Sequence, residues 1–150
     1  MISYFDTSAL VKRYALETGS QAVYEAIAAS RLAGTVLITR AEVAAAFAKA
    51  IRTATLTTDE AVLCLSRFRE DWPRLVRLPV SEATVARAEQ QAWQSGLRGY
   101  DSVHLAAALL WQEALGVAVT VVTYDRALWI AAAQAGLANY PADLITATSS

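Results

Sequence analysis

The chain has 150 residues, of which 55% are hydrophobic and 18% charged, and its net charge is −1. That balance excludes a disordered or low-complexity chain and suits one domain, residues 1–150, around a large Ala-rich core. A single cysteine, Cys64, and a single histidine, His104, exclude an internal disulfide framework and make a structural zinc site or a Cys–His nucleophile a poor prospect.

No apolar run approaches the roughly 18 residues needed to span a bilayer. Residues 1–6 lack the basic start of a signal peptide, so the cytoplasm is the expected compartment. The near-neutral charge hides an asymmetry. Without Asp6, Glu42, Asp101 and Asp125 the chain carries 13 basic against 10 acidic residues, enough for a surface that attracts phosphates.

Ile2 to Phe5 is a short apolar run that reads as a strand, and Asp6-Thr7-Ser8 stops it before a helix that starts near Ser8. Glu17-Thr18-Gly19 breaks that helix, and Ser20 begins a second, which Gly34 ends. Thr35 to Ile38 is apolar without alternation, as a strand buried on both faces would be. Thr39-Arg40-Ala41-Glu42 then reads as a capping box opening a helix to about Thr53.

Thr57 to Glu60 opens another helix, which Trp72-Pro73 ends. These two helices read as an antiparallel hairpin with an Ala-rich surface for partner contacts, and Cys64 falls among its apolar positions as an inert thiol. Leu75 to Leu78 is a third strand. Ser81 caps a helix whose apolar set is Ala83, Val85, Ala86, Ala88, Ala92 and Trp93, and a long helix spans Gly99 to Leu115 with Asp101 in its first turn. His104, one turn on, reads as a largely structural core residue. Ala118 to Val122 is a strand, Asp125 precedes a further helix, Leu137 to Tyr140 is a last edge strand, and Leu144 to Ser150 reads as a weakly ordered tail.

Strands alternating with helices predict an α/β fold, a three-layer αβα sandwich around a parallel sheet of four to five strands. Asp6, Glu42 and Asp125 each follow a strand, and the helix bearing Asp101 points its N-terminus to the same sheet edge. Each acid has a separate local explanation as a cap or a first-turn residue, yet capping does not require them to share one rim. Clustered carboxylates repel unless a cation sits among them, and an all-oxygen set selects Mg²⁺, with Mn²⁺ as a substitute, over zinc or copper. Such an ion suits phosphodiester hydrolysis.

The fragments Asp6-Thr7-Ser8-Ala9-Leu10, Ala41-Glu42-Val43, Tyr100-Asp101-Ser102-Val103-His104-Leu105-Ala106-Ala107-Ala108 and Thr123-Tyr124-Asp125-Arg126-Ala127-Leu128, in this order and at this length, resemble the PIN-domain ribonucleases, in detail the VapC toxins of bacterial toxin–antitoxin pairs. The resemblance implies a Mg²⁺-dependent endoribonuclease, homodimeric and restrained by a VapB-like antitoxin. It implies metal binding by Asp6, Asp101 and Asp125. Glu42 would bind metal through water or help activate the attacking water, with Thr7 or Ser8 positioning a ligand or a water by hydroxyl hydrogen bonds. Arg13, Arg40, Arg98 and Arg126 lie near the acids in sequence and are candidates for RNA phosphates.

Alternatives are another Mg²⁺-dependent phosphoryl-transfer hydrolase or a non-catalytic interaction domain. The Asp-x-Asp of haloacid-dehalogenase chemistry is missing, since Ser8 stands in the second position. The third strand ends in Leu78-Pro79-Val80, without the Asp of a phosphoacceptor receiver domain.

Overall fold

A computed structural model of the chain describes residues 1–147. The elements run β1 (Ile2–Phe5), α1 (Thr7–Tyr14), α2 (Ser20–Ala29), β2 (Leu32–Val36), α3 (Thr39–Arg52), α4 (Thr58–Asp71), β3 (Val76–Leu78), α5 (Glu82–Ser95), α6 (Gly99–Leu115), β4 (Thr120–Val122), α7 (Arg126–Gln134), β5 (Ala138–Tyr140) and α8 (Leu144–Ala147), with a 3₁₀ turn at Trp72–Arg74. The strands form one five-stranded sheet in the order β3-β2-β1-β4-β5, and every pairing is parallel.

This order follows from apolar strands that need cover on both faces. All four residues of β1 are buried. Ile2 and Tyr4 face one core, with Val121 and with Leu105, Ala108 and Trp111 of α6 and Leu128 and Ala132 of α7. Phe5 faces the other, with Leu10 of α1, Val23 of α2, Phe47 of α3 and Phe68 of α4. The chain winds outward from β1 to β3 and then returns to lay β4 on the opposite side of β1. Between β1 and β4 the winding reverses, and the crevice beyond the carboxyl ends of two such strands is where open α/β sheets bind ligands.

The second strand starts three residues earlier and ends two earlier than its apolar run suggests. Gly34 does not end a helix region. It sits inside β2, opposite Tyr4 and Val76. Trp111 of α6 lies across it, so a Cβ there would meet the indole Cη2 at 2.8 Å. Leu37 and Ile38, apolar enough for a strand, instead make the turn into α3. The fourth strand is likewise shorter than its run, because the Val119 amide donates to Gln112 Oε1 rather than joining a ladder.

Helix α5 also departs from its reading. It buries Thr84 and Ala88, a stripe of small residues against α6, and leaves Ala83, Val85 and Ala86 exposed and Trp93 91% exposed. The expected tail begins as α8, whose Leu144 is buried. Thr148 to Ser150 lie outside the described residues. No helix among the described residues is long and apolar enough to cross a membrane.

Gly34→Ala should destabilise the chain by about 1–3 kcal/mol, the usual cost of forcing extra volume into a close-packed core. Urea denaturation of wild type and variant measures it.

Candidate active site

The rim beyond β1 and β4 is built around the Asp6 carboxylate, which is only 4% exposed. Asp6 is the N-cap of α1, and its Oδ1 accepts the Ala9 amide at 3.0 Å. Two hydroxyls complete its shell. Ser8 Oγ donates to Oδ1 at 2.7 Å, and Thr123 Oγ1 donates to Oδ2 at 2.6 Å. Each hydroxyl also accepts a backbone amide from the turn after β4, Ser8 from Tyr124 and Thr123 from Asp125. The start of α1 and the start of α7 are thereby stitched together through one carboxylate. Burial pushes the Asp6 carboxyl above the ordinary aspartate range, although His104 and the donors from Thr123, Ser8 and Ala9 pull against it.

Glu42 reaches the rim because the expected capping box does not form. Thr39 is already helical and buried, its hydroxyl 2.7 Å from Thr35 Oγ1, and the N-cap is Ile38 with no side-chain bond. Glu42 is therefore free to cross the rim. Its Oε1 accepts Thr7 Oγ1 at 2.8 Å and His104 Nε2 at 2.6 Å. Burial raises the Glu42 carboxyl, but the hydrogen bond and charge of His104, with Thr7, outweigh it and bring the group below its ordinary value.

Asp101 and Asp125 complete the set. Asp125 caps α7, its Oδ1 accepting the Leu128 amide, and its Oδ2 turns toward the rim. Asp101 in the first turn of α6 is raised above the ordinary range, first by burial and then by the Asp125 charge. Arg98 answers that repulsion. Its Nε is 3.2 Å from Asp101 Oδ2 and its Nη2 3.4 Å from Asp125 Oδ2, while its side chain stays 81% exposed.

The PIN domain family model matches residues 3–135. The chain belongs to the PIN-domain family. Two relatives from Mycobacterium tuberculosis strains, Ribonuclease VapC45 and Ribonuclease VapC49, are each 34% identical over 148 residues, covering 94% of this chain and 96% of theirs. Among solved structures, FitAcB from Neisseria gonorrhoeae superposes with a TM-score of 0.65 at 18% identity, covering 94% of this chain and 98% of that one. A toxin–antitoxin complex from Klebsiella pneumoniae gives 0.59 at 18% identity, over 82% of this chain and 86% of that one. These two likenesses concern the fold.

In this PIN domain the four acids from distant segments share one rim, as a parallel sheet requires. The four arginines do not all join them. Arg40 and Arg126 are exposed in the first turns of α3 and α7, and Arg98 is bound to two of the acids. Arg13 lies at the far end of α1 from Asp6, over the rings of Tyr14 and Tyr24. His104 is buried, as expected of a core residue, and its two ring nitrogens meet Tyr4 and Glu42. Thr123 and Tyr4 escaped the sequence reading, because nothing local to a strand end or a strand interior marks a hydroxyl that bonds 100 or more residues away.

The donors are hard oxygens, and the upward push on Asp6 and Asp101 marks carboxylates that a divalent cation would relieve. The set fits such an ion in charge and donor type. In position it is not yet a cage: among the described residues no three His, Cys, Asp or Glu side chains are arranged to hold one, and Arg98 supplies the positive charge between Asp101 and Asp125.

A carboxyl raised in the folded state binds protons more tightly than in the unfolded chain. Its contribution to metal-free stability therefore falls as pH rises from the ordinary aspartate value through the native one. Asp101→Asn removes one such loss. Thermal unfolding without metal, scanned from about pH 4 to 7, should show a flatter decline and a neutral-pH Tm higher by about 1–3 °C.

Proposed function

We propose that this PIN domain is a metal-dependent endoribonuclease, the toxin of a type II toxin–antitoxin pair, acting on cytoplasmic RNA. The observation that carries the reading is the gathering of Asp6, Glu42, Asp101 and Asp125 on the carboxyl edge at the sheet's switch point, with Asp6 and Asp101 pushed up by burial. The 34% identity to two proteins named ribonucleases, over nearly their whole length, supports the same chemistry.

Asp6, Asp101 and Asp125 would hold Mg²⁺, or Mn²⁺ in its place, directly, and Glu42 through water. When bound, the ion supplies positive charge for an in-line displacement at phosphorus and a lowered pKa for the attacking water. The protein's own groups do the rest. Glu42, kept ionised by His104 and Thr7, takes the proton of the attacking water. The water oxygen forms its bond to phosphorus as the bond to the leaving ribose oxygen breaks, and that oxygen takes up a proton. Ser8 and Thr123 fix the Asp6 carboxylate, so no rearrangement is needed there during the reaction. Arg98 would release Asp101 and Asp125 to admit the ion and then, with Arg40 and Arg126, face RNA phosphates. The working form is a homodimer, and a VapB-like antitoxin restrains it.

Purified chain incubated with structured RNA should cut it with Mg²⁺ or Mn²⁺ and stop on addition of EDTA. Asp6→Asn should lower the cleavage rate by about a hundredfold or more, the scale of losing a charge-stabilising group from a site, while near-UV circular dichroism stays unchanged. Cleavage that survives EDTA would refute the metal requirement, and an active Asp6→Asn chain would refute the ligand role.

A further inference from the structure

Behind Glu42 runs a buried polar line that the acid cluster does not explain. His104, on α6, has Nε2 2.6 Å from Glu42 Oε1 and Nδ1 2.7 Å from the hydroxyl of Tyr4. Tyr4 is fully buried in β1, among Val36, Leu105, Ala108 and Val121, and its ring meets the imidazole edge-on, with centroids 5.9 Å apart. An ionised carboxylate only accepts, so Nε2 donates to Glu42. In the neutral ring Nδ1 is then an acceptor, and Tyr4 O–H donates to it. Burial, together with Asp6, keeps that phenol protonated, well above the ordinary range.

A buried hydroxyl and imidazole bring desolvation costs that a Phe and a Leu in the same core would not. They meet across 100 residues of chain, and His104 carries the line to one oxygen, Glu42 Oε1, which Thr7 also binds. With Oε1 occupied twice, Oε2 is left without a hydrogen bond among the described residues, on a side chain that is half-buried.

We infer that Tyr4 and His104 are positioning residues for the proposed nuclease reaction: they lock Glu42 by Oε1 so that Oε2 faces the attacking water. This inference rests on the nuclease reading above. It assigns the two residues a role through Glu42, with no contact to RNA.

Two experiments test it. His104 is the one histidine of the chain, so a ¹⁵N-histidine spectrum reports this ring alone. In mildly alkaline buffer, where an ordinary imidazole is neutral, the wild-type ring should be a single tautomer protonated at Nε2. Tyr4→Phe should keep that tautomer, which Glu42 holds, and move the Nδ1 resonance to that of a nitrogen that accepts no hydrogen bond. A ring protonated at Nδ1, or a spectrum that Tyr4→Phe leaves unchanged, overturns the inference whether or not the chain cuts RNA.

The second experiment is cleavage kinetics. Tyr4→Phe should lower kcat about ten- to a hundredfold, as small misplacements of a reacting group do, with KM for RNA unchanged. Combined with Glu42→Gln it should add nothing, since residues that act as a unit are not additive. His104→Gln, whose amide can donate from near the Nε2 position, should keep more activity than His104→Leu. If His104→Leu fails to fold, Tyr4→Phe alone decides. Wild-type kcat in Tyr4→Phe, or the same fold-loss with and without the Glu42 carboxylate, overturns the positioning role. A wild-type chain that cuts no RNA overturns the nuclease reading instead.

Discussion

The site depends on placing negative charge where water is scarce. Asp6 is nearly sealed from solvent at the end of the central strand, where an ionised carboxylate is costly unless its lone pairs are met. Ser8, Thr123 and the Ala9 amide meet them. Each hydroxyl is in turn fixed by a backbone amide beyond β4, so neither can turn away without orphaning a partner. One buried anion thus holds together two strand–helix junctions that lie more than a hundred residues apart in sequence.

Around that fixed point the other acids are arranged with different tolerances. Asp125 is held by its capping bond and keeps one oxygen for the rim. Asp101 has no such anchor and is answered by an exposed arginine, an arrangement of low cost to rearrange, because a solvated ion pair contributes little. Glu42 is held from behind through His104 and Tyr4. The rim therefore combines hydrogen-bonded carboxylates with one exposed counter-charge.

Capping a helix and standing at the sheet's rim are compatible places for the same carboxylate. Asp6 and Asp125 are both N-caps that stand at the rim, Asp125 with its capping bond on Oδ1 and Oδ2 toward Arg98, Asp6 with Oδ1 on the Ala9 amide and Oδ2 on Thr123. Reading each as either a cap or a ligand sets up a false choice. Glu42 was the acid whose local explanation failed. Thr39 was drawn into the buried hydroxyl pair with Thr35, and the capping box that the spacing suggested was lost to tertiary contact. The same override moved β2, where pairing with β1 and β3 and the ring of Trp111 over Gly34 outweighed the apolar run at 35–38.

The order of elements, the parallel sheet and the four acids beyond strand ends or at a helix start were legible in the chain, because strand and helix periodicities and cap chemistry are local. The extent of α6, from Gly99 to Leu115, was readable for the same reason. Which side chains of α5 face outward was not, since that depends on the stripe α6 presents to it. Nor were the bonds from Thr123 to Asp6, His104 to Glu42 and Tyr4 to His104, or the loss of Arg13 to a tyrosine cluster. Sequence alone determined which charges the molecule carries and at which ends of its strands and helices they stand. Only the folded packing decided which donors meet them, because a hydrogen bond across a sheet is set by register and layer geometry that no short window of residues contains.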